Sequence, residues 1–263
     1  MKKSHFFENS KELPQSAILA LHGFTGAGED FEFLKNFFPE NFIWDTPDLP
    51  ALSLSPLCEF LREKWEKLAG VPRVLLGYSM GGRIALHLAR EISWQEGDSL
   101  VLISASPGIS DGRERAQRQN TDAALAKKIE ASASAEEFYK EWQEHPLIVT
   151  QRRLPTPWRE RLLARRASAS REEWVEHLRV LGTGMLPSMW EKLGEISAPK
   201  ITLVVGGEDK KFCAIAEKMA DRMPRSRVLV VPASGHSPHL ETKEACRTLY
   251  LGICGTAARS ILV

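Results

Sequence analysis

The stretch "VLLGYSMGGRIAL", residues 74–86, decides the fold of this 263-residue chain. Its apolar run ends in GYSMG (77–81), which has the Gly-x-Ser-x-Gly spacing of a nucleophile elbow. A segment of helical spacing follows at once, so strand, sharp turn and helix come in the order that this motif requires. The stretch therefore predicts that the Ser79 hydroxyl is presented at the start of a helix. There the backbone N–H of Met80 can stabilise an oxyanion.

Short apolar, β-rich runs recur along the chain and alternate with segments of helical spacing. Their shortness and their flanking Gly or Pro residues favour strands. Strands that alternate with helices are typical of a parallel sheet covered on both faces. The predicted strands are 16–21, 42–45, 73–78, 99–104, 200–205 and 227–231. The predicted helices between them are 29–38, 56–69, 80–93, 211–222 and 240–252.

The interval from Ala105 to Pro199 has no strand pattern, and a structureless loop of that length would be implausible. Helical spacing predicts five helices there, at 112–131, 135–144, 157–167, 171–180 and 187–194. We therefore expect a helical cap, which would shape a pocket and exclude water. In this interpretation residues 1–104 and 198–263 form an α/β core, and residues 105–197 form the cap.

The composition is ordinary for a globular protein, with 43% hydrophobic and 26% charged residues. A net charge of +1 gives no bulk field that would attract nucleic acid or an acidic membrane. The N-terminus lacks the apolar core of a signal peptide, and no run approaches the roughly 18 apolar residues of a membrane span. The cysteines have neither C-x-x-C nor zinc-finger spacing, which favours a reduced cytoplasmic protein without a metal site. They are Cys58, Cys213, Cys246 and Cys254.

A catalytic serine needs a base, and the base needs an acid that orients it. In an elbow fold these follow the serine in the order acid, then histidine. Asp209 comes just after one apolar strand and His236 just after the next, at the strand ends where parallel sheets bind ligands. We favour Asp209 over its neighbour Glu208. We also favour His236 over His239, which lies closer to the following helix and is expected to cap it or pack against it.

The loop "LALHGFTG" (19–26) follows the first clear strand. In such a loop the N–H of the residue after His-Gly, here Phe24, supplies the second oxyanion donor. His22 is expected to hold this loop in place, since the predicted triad already has its base.

Taken together, these motifs resemble the α/β-hydrolase superfamily over nearly the whole chain. Several segments are similar to one family within it, the 2-succinyl-6-hydroxy-2,4-cyclohexadiene-1-carboxylate synthases of menaquinone biosynthesis. They are 106–109, 113–129, 138–147, 182–193 and 206–220. The resemblance implies a lyase that eliminates pyruvate from a succinyl-enolpyruvyl-hydroxycyclohexene carboxylate, with the serine as base. It also implies a small-molecule polycarboxylate substrate and no cofactor.

A substrate with three carboxylates would need fixed cations, and the planar fork of arginine pairs bidentately with carboxylate. Arg83 lies one helical turn after Ser79, on the side that could hold a carboxylate above the serine. The resemblance implies substrate contacts for Tyr78, Arg83, Arg118, Trp142 and Arg166, with Arg165 as an adjacent rival to Arg166.

One segment departs from the family pattern, which usually reads Asp-Leu-Pro-Gly-His-Gly after the second core strand. Residues 48–53 read DLPALS, so the Gly-His-Gly turn is missing and the loop geometry there is open. A carboxylesterase or C–C-bond hydrolase with Ser79 as nucleophile is the alternative function. A non-catalytic ligand-binding protein on the same scaffold is a further one. We expect no nucleic-acid partner, no membrane insertion, and a monomer or small homo-oligomer.

Overall fold

The computed structural model of the chain describes residues 16–254. The N-terminal segment examined for a signal peptide and the outer ends of the two predicted core segments lie outside the described residues. The described residues form one sheet of six strands: β1 (Ala17–Leu21), β2 (Ile43–Asp45), β3 (Arg73–Tyr78), β4 (Ser99–Ile103), β5 (Lys200–Gly206) and β6 (Ser226–Val231). Their order is β2-β1-β3-β4-β5-β6, and every pairing is parallel. The predicted α/β-hydrolase fold is therefore confirmed.

The central strands are buried along their whole length because helices cover both faces of the sheet. In β1, Leu19 and Leu21 belong to one apolar cluster, whereas Ile18 and Ala20 belong to another. Successive strand residues point to opposite faces, so a sheet buried on both sides needs the continuous apolar runs found in the sequence.

The α-helices are α1 (Glu32–Lys35), α2 (Leu54–Lys67), α3 (Met80–Leu88), α4 (Gly112–Ala131), α5 (Ala135–Trp142), α6 (Thr156–Ala167), α7 (Arg171–Leu181), α8 (Lys210–Ala220) and α9 (Lys243–Cys254). Helices α4 to α7 all lie between β4 and β5, and we call residues 105–197 the helical insertion. The bounds of α4 to α7 agree with the predicted helices within two residues at either end.

Three predicted helices differ from the structure. The helix expected at 29–38 begins as a 3₁₀ turn, Gly28–Phe31, and continues only as the short α1. The helix expected at 80–93 ends at Leu88. The segment at 187–194 forms a 3₁₀ helix, Trp190–Glu195, because Pro187 precedes it and Gly194 lies inside it, and both disfavour a longer α-helix.

The described residues show neither a membrane-spanning helix nor a disulfide. Within residues 16–254 no helix combines the length and the apolar character that crossing a membrane requires. All four cysteines lie in this range, and each is a free thiol.

Candidate active site

Three side chains from the carboxyl ends of neighbouring strands form one hydrogen-bonded chain. Ser79 directly follows β3, Asp209 follows β5 and His236 follows β6, and these ends meet at one edge because the strands are parallel. The Nε2 atom of His236 lies 3.0 Å from the Ser79 Oγ, and its Nδ1 lies 2.7 Å from the Asp209 Oδ2. The carboxylate only accepts, so Nδ1 carries the proton and Nε2 is left to accept the serine O–H. The geometry is that of a Ser-His-Asp triad.

The backbone of Ser79 has φ 51° and ψ −107°, a left-handed conformation that costs a side-chain-bearing residue free energy. Hydrogen bonds on both sides hold it: the Ser79 N–H donates to the Ile103 carbonyl at 2.9 Å, and the Gly81 N–H donates to the His22 carbonyl at 3.0 Å. A Cβ atom at Gly81 would lie 2.2 Å from the Leu21 carbonyl oxygen. Glycine is therefore required at this position, and the strained turn is part of the site.

The rival acid and base have other contacts. Glu208 is exposed and forms two hydrogen bonds to the Arg153 guanidinium, at 2.9 and 2.8 Å. His239 is fully buried and stacks on Phe31 with ring centroids 5.5 Å apart. Neither residue contacts the serine, so the choice of Asp209 and His236 agrees with the geometry.

Burial lowers the pKa of His236, while the charges of Asp209 and Glu241 raise it and the Arg83 charge lowers it. The net direction is downward, so His236 is neutral at pH 7. A neutral imidazole with a proton on Nδ1 is the form that can accept the serine proton.

The loop that carries His236 is held by Glu241, whose carboxylate is fully buried. One carboxylate oxygen accepts the backbone N–H of Gly235 at 2.7 Å, and the other accepts that of Ser237 at 3.0 Å. The hydroxyls of Ser234 and Thr150 donate to the same two oxygens at 3.0 and 2.8 Å. Four donors neutralise the cost of burying this charge, and they fix the backbone on both sides of His236.

The two predicted oxyanion donors lie beside Ser79. Phe24 and Met80 both line the cavity into which the Ser79 hydroxyl opens. Within residues 16–254 neither backbone N–H donates a hydrogen bond. Both donors are therefore available to a negative charge that develops next to Ser79.

His22 holds the loop of Phe24, as the sequence predicts. Its Nδ1 donates to the Gly23 carbonyl at 2.9 Å, and its Nε2 accepts the Leu49 N–H at 2.9 Å. These bonds need the neutral ring, and burial lowers the pKa of His22 to about 4.

A cavity of about 930 Å³ lies above Ser79, between the core and the helical insertion. Arg83, Arg118 and Trp142 line it, as predicted. Burial lowers the pKa of Arg83 to about 10, and the nearby Arg118 charge acts in the same direction. The Nε of Arg83 is buried without a hydrogen-bond partner in the described part of the chain. The Asp122 carboxylate raises the pKa of Arg83 but does not outweigh the effect of burial, so the charge is only partly compensated and an incoming anion is favoured.

The other two cavity residues are held by neighbours. Arg118 donates through Nε to Asp122 at 2.8 Å and is 40% exposed. Trp142 packs edge-to-face on Phe24, with ring centroids 5.7 Å apart. The insertion thus contacts the oxyanion loop directly.

Two predicted substrate contacts are corrected by the structure. Arg166 is buried in a bidentate ion pair with Asp30, at 3.1 and 2.7 Å, and does not line the cavity. Its rival Arg165 bonds the same carboxylate at 2.7 Å. Tyr78 also lies outside the cavity wall, and its hydroxyl is 2.5 Å from that of Ser237. Asp30 therefore supplies the counter-charge of both arginines, and the Ser237 hydroxyl supplies the partner of Tyr78, inside the protein.

Sequence reasoning missed three residues of the site. Lys211 lines the cavity although its neighbour Lys210 does not, and no sequence signal separates them. His177, on α7, lines the cavity as well and donates to the backbone of a core loop. Glu241 could have been suspected from its place five residues after His236. In the described residues, no group of three or more His, Cys, Asp or Glu side chains could hold a metal ion.

Comparison with known proteins agrees with this geometry. Residues 18–248 match the alpha/beta hydrolase family, so the chain belongs to that family. A protein of Bacillus subtilis (strain 168) assigned as a 2-succinyl-6-hydroxy-2,4-cyclohexadiene-1-carboxylate synthase is 33% identical over 236 residues, 86% of this chain and 85% of its own length. The synthase of Pectobacterium atrosepticum is 28% identical over 236 residues, 86% of this chain and 88% of its own. Within the α/β hydrolases, the chain therefore belongs to the family of these synthases.

Solved structures give the same result. MenH from S. aureus superposes with a TM-score of 0.82 at 30% identity, covering 92% of this chain and 94% of its own. The esterase EaEST from Exiguobacterium antarcticum superposes with a TM-score of 0.72 at 20% identity, covering 92% of each chain. The esterase likeness shows the fold alone, because sequence identity is low. The chain is an enzyme of the α/β-hydrolase fold.

Proposed function

We propose that this enzyme is a lyase of menaquinone biosynthesis. It eliminates pyruvate from a succinyl-enolpyruvyl-hydroxycyclohexene carboxylate and yields 2-succinyl-6-hydroxy-2,4-cyclohexadiene-1-carboxylate. Membership of the synthase family supports the reaction, and the proposal includes a cytoplasmic location and a capping role for the helical insertion. One observation carries it: the Ser79–His236–Asp209 chain opens into a cavity whose wall includes Arg83, and the Nε of this cation has no hydrogen-bond partner within residues 16–254.

The first step activates the serine. The Nε2 of His236 takes the proton from the Ser79 hydroxyl, and Asp209 stabilises the imidazolium that results. The serine oxygen then removes the acidic ring proton of the substrate, so it acts as a base and forms no bond to carbon. The N–H groups of Phe24 and Met80, two residues that line the cavity beside Ser79, would stabilise the enolate charge that develops.

The second step breaks the carbon–oxygen bond to the enolpyruvyl group. The electron pair left by the ring proton forms the new ring double bond, and the pair of the broken bond leaves on oxygen as the enolate of pyruvate. The imidazolium of His236 supplies the proton that turns this enolate into pyruvate, which restores the neutral base. Arg83 and Arg118 hold the substrate carboxylates, so positioning contributes much of the rate.

The deciding experiment measures pyruvate release. The purified enzyme is mixed with the enolpyruvyl substrate, and pyruvate is followed through a coupled lactate dehydrogenase that consumes NADH. We expect stoichiometric pyruvate and the conjugated diene absorbance of the product, both abolished in Ser79→Ala.

The same preparation is tested on neutral esters such as p-nitrophenyl acetate. Fast ester turnover without release of pyruvate would overturn the lyase and support a serine hydrolase with Ser79 as nucleophile. Activities that all survive in Ser79→Ala would overturn any catalytic role for the triad.

A further inference from the structure

A chain of buried hydrogen bonds joins the helical insertion to the oxyanion loop. The Nε2 of His177, on α7, lies 2.8 Å from the Leu49 carbonyl oxygen. The N–H of that same Leu49 donates to His22, and His22 donates to the Gly23 carbonyl, one residue before Phe24. All of these side chains are buried, with His177 only 3% exposed.

Each bond in this chain has one direction. A carbonyl oxygen only accepts, so His177 must carry its proton on Nε2. Burial lowers the pKa of His177, and its ring is therefore neutral at pH 7. His22 carries its proton on Nδ1, since its Nε2 accepts from Leu49. Both histidines are therefore neutral. Each ring fixes the distance between the groups that it joins, and neither ring adds a charge next to the active site.

The loop that His177 contacts is itself locked to the oxyanion loop. The Gly28 N–H donates to the Asp48 carboxylate at 2.8 Å. A Cβ atom at Gly28 would lie 1.8 Å from the Thr46 carbonyl oxygen, so the two backbones touch. A displacement of residues 46–49 would therefore displace residues 22–28. This is also the loop in which the Gly-His-Gly turn is missing. The hydrogen bond from His177 holds this loop in place from the side of the insertion.

We propose that His177 is a positioning residue. Its hydrogen bond to Leu49 fixes the position of Leu49 and, through the Leu49–His22 bond, the position of the Phe24 N–H. We call this linkage the His177 clamp. The inference rests on the proposed function, because it assigns the clamp to the step in which enolate charge develops. His177 does not touch the reacting atoms. Its removal should slow turnover while leaving the binding of substrate carboxylates unchanged.

The test compares two substitutions at this position. His177→Gln keeps an N–H near the site of Nε2, so it can still donate to Leu49, whereas His177→Phe fills the space without a donor. We expect His177→Phe to lower kcat for pyruvate release about tenfold with KM unchanged within about twofold, as for a weakened oxyanion donor. His177→Gln should restore kcat to within about twofold of the wild type.

A matched control removes another hydrogen bond from a ring N–H to a backbone carbonyl, at a place outside the two loops. Trp94 donates its indole N–H to the Ala89 carbonyl at 2.9 Å, outside the cavity wall and outside both loops. Trp94→Phe should lower the melting temperature and leave kcat unchanged, when all variants are assayed well below their transitions. In the His22→Asn background, His177→Phe should cause no further loss of kcat, because the link to the loop is already broken.

The outcomes separate this inference from the proposed function. A wild-type enzyme that releases no pyruvate overturns the proposed function. A wild-type enzyme that releases pyruvate, with His177→Phe turning over at the wild-type kcat, overturns only the clamp. Equal loss in the Gln and Phe variants also overturns the clamp, as do losses that add independently to those of His22→Asn.

Discussion

The core side of the active site is fixed by backbone contacts, whereas the insertion side lines the cavity with charged, aromatic and apolar side chains. On the core side, Ser79 sits on a strained turn that backbone hydrogen bonds hold, and Glu241 binds the backbone around His236. On the insertion side, Arg118 is held by one side-chain bond and is 40% exposed. The difference indicates that chemistry depends on the rigid half and that substrate choice depends on the adaptable half.

Arg83 belongs to both halves, since it stands on the core helix α3 but faces the insertion. Burial lowers its pKa although the Asp122 carboxylate opposes this, and a partly compensated charge of this kind costs folding free energy unless a ligand neutralises it. Function and stability therefore conflict at Arg83. No such conflict exists at Arg166, which lies outside the cavity wall and whose counter-charge is Asp30.

The largest effect should come from the rigid half. Ser79→Ala removes the proposed base, and we expect kcat for pyruvate release to fall by at least about a thousandfold. Product affinity, measured by calorimetry, should stay within about threefold, because the cations that hold the carboxylates are untouched. Loss of product binding together with turnover would mean that Ser79 shapes the cavity, and the division between the two halves would fail.

The next largest effect distinguishes the role of Arg83, which we expect to bind substrate, from that of Arg166, which we expect to stabilise the fold. Arg83→Met should lower kcat/KM for the carboxylated substrate about a hundredfold, the loss of a charged, desolvated contact. Its unfolding free energy should stay the same or rise, since a partly compensated buried charge is gone. Arg166→Met should have the opposite pattern: a stability loss of about 1.5–3 kcal/mol, because the buried Asp30 loses its bidentate partner and keeps only Arg165 as a charged partner, and near-normal kcat/KM in the folded enzyme.

Denaturant titration and steady-state kinetics on both variants check this contrast. Arg90→Met, which removes an exposed arginine just after α3, is the control and should change neither quantity. If Arg166→Met lost activity as severely as Arg83→Met while remaining folded, the correction of its predicted role would be wrong.

A smaller effect concerns the loop of His236. Glu241→Gln replaces an oxygen that accepts a backbone N–H by an amide that cannot accept, so the loop should loosen and kcat should fall about tenfold. The Glu241 charge raises the pKa of His236, so its loss lowers that pKa further. Activity requires neutral His236 and falls as pH falls through this pKa. The acid limb of the pH–rate profile should therefore move to lower pH.

Glu244→Gln, an exposed substitution at the start of α9, is the matched control and should leave both kcat and the pH profile unchanged. If kcat fell in Glu241→Gln but the acid limb did not move, Glu241 would hold the loop of His236 in place without affecting the pKa of His236.

The sequence predicted the fold and the triad because both depend on local patterns. Buried parallel strands require apolar runs, and the elbow requires small residues around Ser79. Both patterns lie within short stretches of sequence, so they can be recognised without knowledge of the tertiary contacts. Arg166 was assigned to the cavity wrongly, since its counter-charge Asp30 lies more than a hundred residues away in sequence. His177 was missed for the same reason, because it acts on the backbone of Leu49, which is 128 residues away in sequence. Glu241 binds backbone groups only four and six residues away, but no motif marks a carboxylate that turns back onto its own loop.

The smallest effect concerns Lys211, which lines the cavity, whereas Lys210 does not. Lys211 is exposed, so its attraction to a substrate carboxylate is screened, and Lys211→Met should raise KM only about three- to fivefold with kcat unchanged. Lys210→Met removes an equal charge next to it and should leave KM unchanged. The difference between the two variants should shrink as salt rises towards 1 M, since screening weakens an exposed contact more than the buried one at Arg83. Equal KM values for the two variants at low salt would show that net charge near the mouth, and no contact by Lys211, attracts the substrate.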